Sequence, residues 1–210
     1  MRWKRAFLRV YLHEALLGAL DQTSPADVAF GAQLVVAYFL ALRTEDHTDG
    51  RLHWGDVFAQ DDGSVEFLLP PGKSVRRFRR VAIAAKSKHL SAVAHLAEFL
   101  PEGAKQPECP VFISFELASR GVPSYPPLSR SKFIARFKAL VGSVLGYSPA
   151  LYAGYSLRRG GVTEMLTVGV PAAVVKRHVG WVPTSEAICS YYDHAGRLQM
   201  RLPTRMMGVR

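Results

Sequence analysis

Apolar positions along the chain change period twice. From Arg2 to Leu20, residues Phe7, Leu8, Tyr11, Leu12, Ala15 and Leu16 recur at helical spacing, behind a basic start of Arg2, Lys4, Arg5 and Arg9. Thr23-Ser24-Pro25 supplies a hydroxyl cap followed by a first-turn proline, and predicts a helix running to about Leu42. That helix is apolar nearly all round, so it is expected to be buried. After Arg43 the texture breaks, and 44–51 is polar and turn-rich. Three strand-like runs follow: Leu52 to Phe58, Val65 to Leu69, and Phe78 to Ala84. Asp61-Asp62-Gly63 joins the first two, and Pro70-Pro71-Gly72 opens the next turn, which predicts a small antiparallel sheet.

Helical spacing returns from His89 to Leu100. A long proline-bearing connection, Pro101 to Pro127, holds only one short apolar run at Val111 to Phe115. Ser129 or Ser131 caps a helix to about Leu145, with Phe133, Phe137, Leu140 and Val141 on one face. Beyond Pro149 short helices are expected at Ser156 to Val168, Pro171 to His178 and Ser185 to Tyr192, then a tail from about Gly196. The fold class is therefore α+β, mostly helical, with helices around a small three-stranded antiparallel sheet.

Composition limits what such a fold does. The 210 residues are 49% hydrophobic and 21% charged, enough for one ordinary core without covalent staples. Cys109 and Cys189 stand in unlike contexts and carry no zinc-ligand spacing, so they read as reduced thiols of an intracellular protein. The seven histidines form no metal pattern, and no metal or cofactor is expected. The longest apolar stretch, Val28 to Leu42, is too short and too interrupted to span a bilayer. The net charge of +10 favours a polyanionic partner.

The C-terminal third carries the chemistry. Tyr155-Ser156-Leu157-Arg158-Arg159-Gly160-Gly161 opens a helix; His178-Val179-Gly180-Trp181 and Ser190-Tyr191-Tyr192-Asp193-His194 follow in that order. This order resembles the C-terminal half of tyrosine recombinases and integrases, which join an arginine box, a Gly-His/Trp turn and a Tyr-x-His nucleophile segment. The Ser-Leu-Arg-Arg-Gly-Gly wording looks most like recombinases of eukaryotic mobile elements. The resemblance implies three further parts upstream. Leu42-Arg43-Thr44-Glu45-Asp46 fits a first arginine followed by an acid, Trp54-Gly55-Asp56-Val57 a strand with a Trp/Asp pair, and Lys73 a lysine in the turn between the second and third strands. The similarity covers roughly Val28 to His194.

Each implied role has a physical reason. In-line attack on a phosphodiester adds negative charge to its non-bridging oxygens, and guanidinium groups bind such oxygens bidentately. Arg43 and Arg158 would be that clamp, with a helix start at Ser156 aiming free N–H groups at the phosphate. Lys73 would protonate the leaving 5′-oxygen, and Trp181 would donate its indole N–H. Tyr155, where histidine is commoner, would donate a hydrogen bond. The Tyr-x-His pattern favours Tyr192 as nucleophile, with Tyr191 the alternative. The spacing from Trp181 is two residues long for Tyr192 and one for Tyr191, an excess expected to be absorbed at Val182-Pro183.

Taken singly, these residues have plainer readings: a core aromatic pair at Tyr191-Tyr192, a core Trp181, a solvated Lys73, an edge strand charged against aggregation at Arg76, Arg77, Arg79 and Arg80. Read together, those four arginines and Arg159 become contacts to double-stranded DNA. The resemblance thus implies a DNA strand-transferase working through a covalent 3′-phosphotyrosyl intermediate in recombination, integration or transposition. A related type IB-like topoisomerase and a non-catalytic DNA-binding module are the alternatives. Residues 1–195 read as a single catalytic domain, with 1–27 a basic N-terminal helix or linker remnant. The tail 196–210 is expected to dock in trans, supporting tetramers on DNA. The protein would be DNA-associated, nuclear or nucleoid according to its host.

Overall fold

The computed structural model describes residues 8–71, 78–83, 90–115 and 125–191. Helix α1 (Val10–Gly18) is followed by α2 (Pro25–Phe39), where the Ser24 hydroxyl accepts the Asp27 N–H as the sequence predicts. Every residue of α2 from Val28 to Tyr38 is buried, which is why it carries no polar face. Neither Gly nor Pro ends this helix. The chain leaves through Ala41 at φ 48, a left-handed conformation that costs an alanine about 1–2 kcal/mol. Complete burial of Leu40, Ala41 and Leu42 offsets that cost. The stretch expected to be only turns then forms a single helical turn, α3 (Thr44–His47), because the Asp46 carboxylate accepts the Arg43 N–H at 2.9 Å.

The sheet has the order β1-β2-β3, all antiparallel: β1 (Val57–Ala59), β2 (Val65–Leu69) and β3 (Arg79–Ile83). Its register sets Val57 opposite Phe67 and Leu69 opposite Arg79. The first strand is shorter than expected. Trp54, Gly55 and Asp56 form a 3-10 turn instead, since the Asp56 carboxylate takes the His53 N–H and Gly55 packs on the Pro107 carbonyl. The turn after β1 uses Gly63 at φ 77, a conformation glycine adopts without a steric penalty.

Helices α4 (Leu90–Phe99), α5 (Arg130–Leu145), α6 (Gly154–Thr167) and α7 (Ala172–Val179) complete the frame. Ser129, rather than Ser131, caps α5 by accepting the Lys132 N–H. A 3-10 turn at Glu186–Ile188 leads into helical backbone at 189–191. Three cores result. One seals the sheet with α2 and α4, the second joins α1, α2, α5 and the start of α6, and the third joins α6, α7, Ile188 and Tyr191. No helix among the described residues is long and apolar enough to cross a membrane.

Candidate active site

Two helix ends meet at one place. The left-handed exit of α2 turns its last carbonyls toward α6, and the Ala41 oxygen accepts Arg158 Nη1 at 2.6 Å. The Val179 oxygen, at the C-terminus of α7, accepts Nη2 at 3.0 Å. Arg158 is 1% exposed, so these two carbonyls hold its guanidinium in a fixed plane. Arg43 lies two residues beyond Ala41, as N-cap of α3. The same strained turn therefore anchors one arginine and delivers the other.

Such close meeting of helices requires small residues. A Cβ on Gly160 would lie 2.0 Å from the Leu8 carbonyl oxygen, and one on Gly161 2.1 Å from the Tyr38 carbonyl oxygen. Helix α6 begins two residues earlier than the sequence predicts. The Ser156 hydroxyl accepts the Ala153 N–H, and the Ser156 N–H bonds back to the Ala153 carbonyl. Ser156 is thus buried inside the first turn, with its own N–H already used.

Helix α7 ends on Gly180 at φ 73, a left-handed position suited to glycine. The Trp181 N–H then reaches the Lys176 carbonyl at 2.8 Å, and the indole ring is set 5.6 Å from the Arg158 guanidinium. Lys176 Nζ donates to the Pro183 carbonyl, and a turn closes from Val182 to Ser185. The chain re-enters with Ile188 and Tyr191 buried on one helical face. Tyr191 is 3% exposed. Its ring lies 5.4 Å from that of Trp181, and its hydroxyl is 3.0 Å from that of Tyr155. Tyr155 itself is 41% exposed, on the first turn of α6.

Arg43, Tyr155, Arg158, Trp181 and Tyr191 thus converge from α3, α6, α7 and the segment after it. Tyr192 and Lys73 lie outside the described residues, as do Arg76 and Arg77. Arg51 Nη2 donates to the Pro71 carbonyl at 2.8 Å, at the entrance to the segment that carries Lys73.

Solved structures with this arrangement of elements are tyrosine recombinases. The XerA recombinase superposes with a TM-score of 0.70 at 15% identity, over 100% of this chain and 68% of its own. The XerH site-specific recombinase bound to a palindromic difH substrate superposes with a TM-score of 0.68 at 14% identity, over 95% of this chain and 53% of its own. The Tn1549 transposon integrase in complex with circular intermediate DNA gives 0.62 at 13%, over 95% and 66%. This chain has the tyrosine recombinase catalytic-domain fold. No protein-family model matches its sequence, and no curated protein does. The chain spans about half the length of XerH.

Within that fold the electrostatics are unusual. Burial lowers the Arg158 pKa, and repulsion from Arg43 lowers it further. Burial likewise pushes the Tyr191 hydroxyl well above the ordinary phenol value, and its bond to Tyr155 adds to this, while Arg158 and Arg159 pull the other way. His178 donates from Nε2 to the Phe39 carbonyl at 3.0 Å. Burial lowers its pKa, so it is neutral at pH 7.

The five arginines expected at a DNA surface do not behave alike. Arg159 is 2% exposed and faces the interior, where its charge acts on Tyr191 and Tyr155. Arg80 is exposed and pairs with Glu66 at 3.4 Å. Arg79 is half-buried, with Arg158, Arg43 and Asp46 near enough for their charges to act on it. Sequence reasoning grouped Arg79 with the DNA-contacting arginines of the sheet and not with Arg43 and Arg158. The signal was strand alternation, since Arg79, Val81 and Ile83 share one face of β3.

Proposed function

We propose that this chain cuts and rejoins DNA through a covalent 3′-phosphotyrosyl intermediate, as a site-specific recombinase or integrase. The carrying observation is the convergence of Tyr191 with Tyr155, Trp181 and Arg158 around one point in a fold shared with recombinases. Tyr191 is the nucleophile in this reading, with Tyr192 the alternative. The geometry favours Tyr191 because its phenol lies among the cations, whereas the Tyr-x-His pattern favoured its neighbour.

In the reaction the Tyr191 oxygen attacks phosphorus in line, and the bond from phosphorus to the 5′-oxygen breaks. The phenolic proton passes to the Tyr155 oxygen while Tyr155 gives its own hydroxyl proton to solvent, a relay that leaves Tyr155 neutral. Lys73 protonates the leaving oxygen. Ionising an ordinary phenol at pH 7 costs about 4 kcal/mol, and the burial of Tyr191 adds to that. Preorganised donors facing a transition state are worth about 3–4 kcal/mol each. Arg43 and Arg158, at about 6–8 kcal/mol together, offset the cost of ionising an ordinary phenol once a phosphate is bound, and the burial of Tyr191 takes up the remainder. The ester conserves the energy of the broken bond, so rejoining requires no external energy source.

The test is a suicide duplex that traps the covalent adduct. Wild type and Tyr192→Phe should form it, and Tyr191→Phe should not. If only Tyr192→Phe fails, the nucleophile is Tyr192. If no variant and no wild type forms an adduct on duplexes of varied sequence, the chain is a DNA-binding module. Relaxation of supercoiled DNA by a monomer without site preference would instead mark a topoisomerase. The segment 196–210 completes the proposal as a tail that docks on a neighbouring protomer. Removing it should leave the protein monomeric on DNA at micromolar concentration, where the full chain assembles.

A further inference from the structure

Strand β3 separates two arginines that are adjacent in the sequence. Successive side chains of a strand point to opposite faces. Arg79 shares its face with Val81 and Ile83, which are buried in the core against α2 and α4. Arg80 points the other way, toward Glu66 and the Phe58 ring. Arg79 also stands opposite Leu69, in the last residue pair of the sheet, at the end from which the Lys73 turn departs. It comes close enough to Arg43, Asp46, Arg158 and His178 for its charge to act on each of them.

We infer that Arg79 is a third guanidinium of the anion site, contacting the same phosphoryl group as Arg43 and Arg158. The identity of that group as a DNA phosphodiester rests on the strand-transfer reading above. The charge balance supports the assignment. Among the described residues, Arg79 has the cations Arg158 and Arg43 and the carboxylate Asp46 as its electrostatic neighbours, and His178 is neutral. A phosphodiester carries one negative charge, and the five-coordinate transition state of in-line attack carries two. Several cations around one phosphoryl group favour the more negative transition state over the ground state, the condition for accelerating a chemical step. Without an anion the arrangement is costly. Burial, and then the nearby Arg158, bring the Arg79 pKa down to about 10. A residue that merely tied β3 to α3 through Asp46 would not need this proximity to two other cations.

Orthovanadate, an oxyanion that accepts five-coordinate geometry, tests the site directly. Its binding is read by Trp181 fluorescence, with Trp181→Phe as the background. Arg79→Met should weaken binding about tenfold or more, while Lys105→Met, at a lysine paired with Glu102, should leave it within about twofold. Because a repelled, partly buried charge is removed, Arg79→Met should melt no lower than wild type. Arg79→Lys should melt like wild type and recover part of the affinity. On a suicide duplex, Arg79→Met should lower the single-turnover cleavage rate about a hundredfold. Vanadate binding that is absent from wild type, or undiminished in Arg79→Met, would overturn the inference. So would loss of binding in both Arg79 variants together with lower melting in both. If vanadate binds through Arg79 but wild type forms no DNA adduct, the anion site stands and the strand-transfer reading falls.

Discussion

At the scale of single residues, the fold carries polar groups that water would have served better. His47 is fully buried against the Phe133 ring, and neither ring nitrogen has a hydrogen-bond partner among the described residues. Burial holds its pKa down at about 3, so the folded protein keeps it neutral. In the unfolded chain it takes a proton near pH 6.5. Its contribution to stability is therefore complete above pH 6.5 and is lost as the pH falls from there toward 3. Urea melts should find wild type weakened by about 2 kcal/mol more than His47→Leu on going from pH 7.5 to pH 5. Equal pH dependence in the two proteins would show that His47 reaches a proton in the folded state. Tyr191 presents the same physics in a functional setting. Its burial opposes ionisation, so it should react only when a phosphate draws the surrounding cations into use.

At the scale of elements, the site depends on α2 and α6 touching backbone to backbone. Arg158 sits on α6, and Arg43 just past α2, so any separation of these helices displaces the two arginines relative to each other. Gly161→Ala forces a Cβ to within 2.1 Å of the Tyr38 carbonyl, on a rigid, wholly buried helix. A destabilisation of about 2–4 kcal/mol is expected, measured by thermal or denaturant unfolding. DNA cleavage should fall further than the folded fraction accounts for. Retention of both stability and cleavage would mean the helices can part without cost to the site. The same element-scale logic sorts the arginines of β3. Alternation along the strand, and not charge, decides that Arg80 meets solvent while Arg79 meets the cluster.

At the scale of the whole molecule, a net charge of +10 works against the compact state and for a polyanion. If the proposed function holds, duplex binding should weaken about a thousandfold between roughly 50 and 200 mM salt, as several phosphates displace their counterions. Fluorescence anisotropy on a labelled duplex measures this, and a flat salt response would argue against a backbone-tracking surface. Arg43→Ala should change this salt slope little, because its contribution is confined to one phosphate and to the chemical step.

The chain's own order of residues determined much of the outcome. The buried α2, the β2 strand, the Ser24 and Ser129 caps and the amphipathic α5 follow from local period and capping chemistry, which neighbours in sequence decide. The order of arginine box, Gly-Trp turn and tyrosine pair was equally legible, because each motif is short and contiguous. What required tertiary structure was everything set by the meeting of distant segments. The Trp54–Asp56 turn exists because Gly55 packs on Pro107, 52 residues away in the chain. Of the two adjacent tyrosines, Tyr191 is buried beside Tyr155, a placement set by the packing of this segment on α6 and α7. The interior places of Arg79 and Arg159 were likewise hidden, because the sequence gives a side chain's charge, whereas the sheet and the helix pair decide which way it faces.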